Sequence, residues 1–91
     1  MSTAADIEAY FDLVAAHQRR DPALTPLQAG ILSGADLGIA TDTRTFARAL
    51  GIAHALVLRE LAALVERDVG IRIIRRDERT MRVFYAFNSD G

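Results

Sequence analysis

The side chains best suited to chemistry in this 91-residue chain are five arginines that fall within eleven consecutive positions. They are Arg72, Arg75, Arg76, Arg79 and Arg82. A guanidinium carries its N–H donors in a planar fork that matches two phosphate oxygens at once. On an exposed hairpin, such a cluster can neutralise nucleic-acid phosphates or enter a minor groove. We expect Arg76, Arg79 and Arg82 to make these contacts. The alternative is a solvated strand face in which Arg79 pairs with Asp77 or Glu78.

Four side chains upstream of this cluster extend the candidate surface. Arg44 and Arg48 lie on the polar side of a short helical pattern, where they would contact a phosphate backbone; a solvated helix face is the alternative. Arg59 projects outward from the next helical pattern, residues 53–67, and His54 lies at its start. Between positions 53 and 59, these two side chains are the ones able to hydrogen-bond to a base edge. For His54 the alternative is a partly buried capping or packing role.

The rest of the sequence offers no catalytic or metal-binding pattern. The chain has two histidines, far apart in sequence, and no cysteine, so we expect neither a thiolate zinc site nor a disulfide. It has no nucleophile elbow, no phosphate-binding glycine loop and no spaced pair of catalytic carboxylates. We therefore expect a protein that is not an enzyme and that holds no metal and no cofactor.

The charges are distributed unevenly, although the net charge of the whole chain is only −1. Residues 1–43 carry two arginines against six acids, a net of −4, whereas residues 44–82 carry nine arginines against five acids, a net of +4. A basic second half points to a polyanionic partner. The N-terminus lacks the basic stretch and the long apolar run of a signal peptide, and no apolar run could span a bilayer. We expect a cytoplasmic protein without membrane contact.

Apolar spacing predicts the helices that position these side chains. Residues 6–20 carry apolar side chains at i, i+3, i+4 and i+7, which indicates an amphipathic helix. The segment Thr25-Pro26-Leu27-Gln28 predicts a second helix start, with a capping threonine, a first-turn proline and a glutamine three residues after the cap. A third helix ends at Gly51, where a helix-turn-helix requires a tight turn with positive φ. The fourth helix covers residues 53–67.

From Ile71 onward, the apolar period changes from 3.6 to 2, which predicts a β-hairpin with a polar turn at residues 76–80. The predicted fold class is α+β, with three or four helices around one core and a C-terminal two-stranded β-hairpin as a wing. Residues 1–91 form a single domain. Within it, residues 1–20 form an N-terminal helix and residues 24–88 the winged helix-turn-helix.

Four segments of the chain resemble the MarR-type winged helix-turn-helix transcription regulators, in the order and at about the spacing of that family. They are LTPLQAGIL from Leu24, TFARALGI from Thr45, LRELAALVERD from Leu58 and RRDERTMRVFYAF from Arg75. The resemblance implies a homodimer that binds double-stranded DNA and regulates transcription, often in response to a small ligand. The chain is similar to a compact form without the C-terminal helices that join the two subunits in that family. The N-terminal helix, or Leu56 and Leu58, would then join them.

The start of the fourth helix differs from the family, which usually has polar residues there. Residues 53–58 read AHALVL, and apolar side chains can contact at most a thymine methyl or a sugar. The alternative function is a winged-helix module for protein interaction, in which Ala55, Leu56 and Leu58 dock a partner. The wing arginines favour DNA. The leading hypothesis is a small DNA-binding regulator with its wing on phosphates or the minor groove and helix 53–67 in the major groove.

Overall fold

The computed structural model describes residues 3–87, so the predicted end of the winged helix-turn-helix at Asn88 lies outside the described residues. Four helices precede a two-stranded antiparallel hairpin: α1 (Thr3–Arg20), α2 (Pro26–Asp36), α3 (Thr43–Leu50), α4 (His54–Arg67), β1 (Ile71–Asp77) and β2 (Arg82–Phe87). This α+β arrangement matches a winged helix and confirms the predicted fold class. Over the described range, no helix is both long enough and apolar enough to cross a membrane.

Helices α2 and α3 begin where local side-chain hydrogen bonds cap them. Thr25 Oγ1 accepts a hydrogen bond from the Gln28 N–H at 3.1 Å, and Gln28 Oε1 accepts one from the Thr25 N–H at 3.2 Å. These two bonds form the predicted capping box. Asp42 caps α3 by accepting from the Thr45 N–H at 3.0 Å. Gly51 ends α3 with φ of 65°, a conformation that glycine adopts without steric cost.

The hydrophobic core lies between α2, α3, α4 and the inner face of the hairpin. Val57, Leu61 and Leu64 of α4 are buried, as their helical spacing predicts. Phe46 of α3 and Tyr85 of β2 are the largest fully buried side chains. Because these side chains come from different elements and share one core, their burial fixes the position of α4 relative to the hairpin.

Gly34, near the end of α2, is a position where an added methyl group should stabilise the fold. A Cβ there would lie 3.7 Å from Ala40 and 3.8 Å from Phe46, which is ordinary contact. Gly34→Ala is expected to raise the free energy of unfolding by about 0.5–1 kcal/mol in chemical denaturation, because alanine favours helix and restricts the unfolded chain. Gly30→Ala is the matched control, since its Cβ would lie 2.6 Å from Tyr10 Oη. An equal gain in both variants would contradict the close packing of α1 on α2.

Strand β1 departs from the strict alternation that the sequence predicts. Ile73 lies opposite Tyr85 and Arg75 lies opposite Phe84, so Ile74 is an extra residue in β1. This β-bulge reverses the alternation of side chains on the C-terminal side of Ile74. The arginines that follow the bulge therefore lie on the opposite faces of the hairpin from those that a regular strand predicts.

The turn of the hairpin also lies later in the chain than predicted. β1 continues to Asp77, and Met81, which the sequence pattern predicts to lie in the second strand, is in the turn with φ of 62° and is 60% exposed. Local hydrogen bonds explain the shift. The Arg79 N–H donates to Asp77 Oδ1 at 3.1 Å, and the Arg82 N–H donates to Thr80 Oγ1 at 3.2 Å. These side chains close the turn around residues 78–81.

Strand β2 is held on both edges. One edge pairs with β1, and on the other the Tyr85 N–H donates to the Thr41 carbonyl at 3.0 Å. An isolated antiparallel bridge joins Asp42 to Phe84 at the same edge. The segment that leads into α3 therefore fixes the hairpin against the helix-turn-helix.

Candidate nucleic-acid interface

Arg44, in the first turn of α3, is bound to the turn of the wing. Its Nε donates to the Thr80 carbonyl oxygen at 3.1 Å, and its Nη2 donates to the same oxygen at 2.5 Å. A guanidinium that donates twice to one acceptor is held in a defined orientation. The start of α3 and the turn of the hairpin are therefore neighbours, although 36 residues separate them in sequence.

His54, the first residue of α4, is bound to α3. Its Nε2 lies 2.7 Å from Thr43 Oγ1, and that buried hydroxyl also accepts from the Val83 N–H of β2 at 3.0 Å. Burial lowers the pKa of His54 below its ordinary value, and the positive charges of Arg44 and Arg82 lower it further, against the opposing effect of Asp42. The lowered pKa favours the neutral imidazole.

Asp42 combines the cap of α3 with an ion pair to the wing. Its carboxylate is buried, and Arg82 Nε lies 3.4 Å from Oδ2 without pointing its N–H along the line of a hydrogen bond. Burial alone would raise the pKa of Asp42. Hydrogen bonds from the hydroxyl and N–H of Thr45, the charge of Arg82 and the N–H of Arg44 outweigh that effect, and the pKa falls below its ordinary value.

These contacts bring together three parts of the chain that sequence spacing could not connect. We call the start of α3 (residues 42–44), His54 and residues 80–83 of the wing the α3–wing junction. It contains three of the predicted contact residues, Arg44, His54 and Arg82, each with at least one side-chain contact inside the protein. Sequence reasoning did not connect Asp42 or Thr43 with the wing, because both act across the junction through tertiary contacts.

The wing arginines divide between the two faces and the turn of the hairpin. Arg72 and Arg75 lie on the outer face, with the Arg75 guanidinium 4.3 Å from the centre of the Phe84 ring. After the bulge, Arg76 lies opposite Val83 and therefore on the face toward α4. Arg79 lies in the turn. Both Arg76 and Arg79 are exposed, and neither forms an ion pair within residues 3–87.

Arg48 and Arg59 are the exposed candidates on the helices. The side chain of Arg59 is 75% exposed, and its Nε lies 3.8 Å from Glu60 Oε2, a distance typical of a weak surface ion pair. The carboxylate of Glu60 is turned toward α2. Its Oε1 accepts from Thr25 Oγ1 at 3.2 Å and from Gln28 Nε2 at 3.1 Å. Arg59 therefore keeps its freedom to reach a ligand, while the adjacent acid serves to join α4 to α2.

A cleft of about 370 Å³ separates the second half of α4 from the wing. Its apolar lining includes Leu58, Ala62 and Val65, and Arg76 and Glu78 lie at its charged side. Leu58 packs against the core and is half-buried, so the expectation of a freely exposed Leu58 is wrong. Leu56 and Leu58 lie on either side of the buried Val57, at the two borders between the inner and outer faces of α4, and both are half-buried.

Helix α4 begins without a side-chain cap. Ala53 has φ of −66° and ψ of 135°, the extended conformation of an N-cap residue, but a methyl group accepts no hydrogen bond. The Leu56 N–H donates to the Ala53 carbonyl at 3.1 Å. The N–H groups of His54 and Ala55 have no side-chain acceptor among the described residues, and the positive end of the helix dipole favours an anion near them.

Ala53→Ser is expected to raise the free energy of unfolding by about 1 kcal/mol, because serine at this position would cap α4. Ala55→Ser is the control: it lies inside the exposed first turn, where serine lowers helix propensity. In chemical denaturation, the free energy of unfolding should rise for Ala53→Ser and fall for Ala55→Ser. A loss of stability in Ala53→Ser would contradict the assigned start of α4.

Among the described residues, no three His, Asp or Glu side chains come together in a way that could hold a metal ion. Comparisons with family models, with curated proteins and with solved structures find no significant match to this chain.

Proposed function

We propose that this chain is a small, non-enzymatic winged-helix protein that binds double-stranded DNA in the cytoplasm and regulates transcription, as its resemblance to the MarR-type regulators implies. The observation that carries the proposal is the pair Arg76 and Arg79, two exposed arginines at the end of a hairpin that is bound to the helix-turn-helix. Because neither guanidinium forms an ion pair within the described residues, each can bind a phosphate and no existing ion pair has to break first.

The α3–wing junction supports this function because it fixes the relative positions of the parts that would touch DNA. Arg44 holds the turn of the wing through Thr80, and the Thr43 hydroxyl links His54 to β2. A rigid frame lowers the entropy lost when several groups bind one duplex at once. In this role Arg44 and Arg82 orient the wing, while Arg76 and Arg79 contact phosphates or the minor groove.

The start of α4 would enter the major groove with few groups that read bases. Ala53, Ala55 and Leu56 offer only apolar contact, His54 has Nε2 engaged with Thr43, and Arg59 is one to two turns further along. The uncapped N–H groups of α4 suit a phosphate. We therefore infer that affinity comes mainly from phosphate contacts and that sequence preference comes from Arg59 and from DNA shape.

A second candidate function is protein interaction through the start of α4. It is favoured by the exposed Ala55 and the half-buried Leu56, which form an apolar surface where DNA readers usually carry polar groups. Since Leu58 is packed on the core, this surface is smaller than the sequence alone predicts. Among the described residues, protein interaction has no supporting feature comparable to the exposed wing arginines, which support DNA binding.

Amide chemical shifts of the ¹⁵N-labelled chain, titrated with a short duplex of random sequence at low salt, distinguish the two functions. DNA binding as proposed predicts shifts concentrated at residues 76–82 and 53–59, with the outer face of α1 unaffected. The proposal fails if no shift occurs, or if the shifts lie away from the wing. Shifts at the start of α4 alone would exclude the wing as the main contact.

A further inference from the structure

The two ring nitrogens of His54 have different surroundings. Nε2 lies 2.7 Å from Oγ1 of Thr43, a side chain that is fully buried. Nδ1 has no hydrogen-bond partner within residues 3–87, and those residues do not enclose it either. The ring is therefore held through Nε2, and Nδ1 faces the solvent at the start of α4.

The Thr43 hydroxyl decides which ring nitrogen of His54 carries the hydrogen. A hydroxyl has one hydrogen and two lone pairs. One lone pair accepts from the Val83 N–H at 3.0 Å. If Nε2 also donated to this oxygen, the buried hydroxyl hydrogen would have no acceptor among the described residues, which is unfavourable. Every group is satisfied when the Thr43 hydroxyl donates to a bare Nε2, so the hydrogen of the neutral ring lies on Nδ1.

The surroundings of His54 also oppose a second proton on the ring. That proton would have to bind at Nε2, where the hydroxyl hydrogen of Thr43 already points. Burial and the positive charges of Arg44 and Arg82 lower the pKa of His54, against the opposing effect of Asp42. These effects favour the neutral ring, whose single N–H points away from the protein.

We propose that the Nδ1–H of His54 is a fixed donor that hydrogen-bonds to an acceptor of the bound DNA, either N7 of a purine in the major groove or a phosphate oxygen. This inference rests on the proposed function, in which the start of α4 enters the groove. Thr43 is a positioning residue: it contacts no DNA and acts by setting the orientation and the tautomer of the ring. The apolar start of α4 then contains one polar DNA contact in addition to Arg59.

The first test is the tautomer of His54 in the free protein, measured by long-range ¹H–¹⁵N correlation spectra of the ¹⁵N-labelled chain. Nδ1 should show the shift of a protonated nitrogen and Nε2 that of a bare one. His17 is the control in the same spectrum. Its Nε2 lies 2.8 Å from Asp36 Oδ2, and because an ionised carboxylate only accepts, that nitrogen should be protonated. A protonated Nε2 on His54 would overturn the proposal.

Variants of Thr43 test its positioning role in the same spectra. Thr43→Val removes the hydroxyl at similar volume, so the hydrogen of His54 should divide between the two nitrogens. Thr43→Ser keeps the hydroxyl and should keep the wild-type tautomer. An unchanged tautomer in the valine variant would show that Thr43 does not set it. Loss of the wild-type tautomer in the serine variant would contradict the assignment whether or not the valine variant folds.

The second test is the affinity of His54→Gln for a random duplex. Glutamine Oε1 can replace Nε2 as the acceptor for Thr43, but no donor remains at the position of Nδ1. Binding should weaken by on the order of tenfold, with the salt dependence unchanged, because a neutral donor releases no counterion. His17→Gln is the matched control and should bind as the wild type does. Wild-type affinity in His54→Gln would overturn the proposed contact.

A random duplex built with 7-deazapurines distinguishes the two acceptors, because it lacks purine N7 and keeps every phosphate. A contact to N7 predicts that wild type and His54→Gln bind this duplex equally. A contact to phosphate predicts that the tenfold difference remains. If the wild type binds no duplex at all, the proposed function fails and the contact fails with it. The tautomer of the free protein is measured without DNA, so a protonated Nε2 on His54 would overturn this inference alone.

Discussion

Replacing Arg76 and Arg79 together with alanine is expected to weaken binding to random duplex DNA by about 50-fold near 0.1 M salt, since each lost phosphate contact there contributes roughly an eightfold factor. The variant should also flatten the dependence of log affinity on log salt by about two units, because two fewer counterions are released. Both side chains are exposed and without an ion pair in the described chain, so the fold should remain intact. Fluorescence anisotropy over a salt series measures both quantities.

Arg72→Ala is the matched control for this double variant. Arg72 is an exposed arginine of the same strand, but it lies opposite Ala86 near the base of the hairpin, away from the turn. Its loss removes one charge from the wing without removing a proposed contact, so affinity and salt dependence should change far less. The double variant removes two positive charges and Arg72→Ala removes one. If the loss of affinity per removed charge is equal in the two variants, then affinity depends on the total positive charge of the wing and not on the positions of Arg76 and Arg79.

Asp42→Ala is expected to lower the free energy of unfolding by roughly 2 kcal/mol, from the lost cap of α3 and the lost partner of Arg82. The carboxylate accepts from the Thr45 N–H and from Thr45 Oγ1 at 2.7 Å, and it lies 3.4 Å from Arg82 Nε. Its removal leaves the half-buried Arg82 side chain without its ion-pair partner in the described chain. Urea denaturation monitored by circular dichroism measures the loss.

Asp42→Asn separates the two parts of that effect. Asparagine keeps an oxygen that caps α3 but carries no charge for Arg82, so it should cost less than alanine, about 1 kcal/mol. An asparagine variant as unstable as the alanine variant would show that the charge alone matters. Wild-type stability in the asparagine variant would show that the ion pair contributes nothing.

The charge of Asp42 also gives the fold a dependence on pH. The folded-state pKa of Asp42 is lower than its ordinary value, so its contribution is complete above the unfolded pKa, near 4, and is lost as the pH falls through the folded pKa. The wild type should therefore lose stability below pH 4 more steeply than Asp42→Asn. Parallel pH profiles of the two proteins would contradict the assigned pKa direction.

Local signals explain which parts of the fold the sequence predicted. Thr25, Gln28 and Gly51 act through neighbours within a few residues, so their helix boundaries could be predicted from spacing alone. The inward side of α4 followed from helical geometry in the same way. The bulge at Ile74 had no local signal, because it depends on how β1 pairs with β2.

The sequence selected the candidate residues but could not predict how their side chains are arranged. Sequence patterns selected Arg44, His54 and Arg82 as contacts, yet their side chains are engaged with residues 11 to 40 positions away. Such partners depend on the packing of α3 against the hairpin, which no single segment encodes. Arg76, near the end of β1, and Arg79, in the turn, remain exposed.

The salt dependence of wild-type binding to a random duplex tests the central claim most directly. Four candidate arginines are exposed, Arg48, Arg59, Arg76 and Arg79. At about 0.9 released counterions per contact, log affinity should fall against log salt with a slope of roughly −3.6 for one bound copy and roughly −7 for two. A slope near zero, or no binding at low salt, would contradict the proposal that this winged helix binds DNA through its arginines.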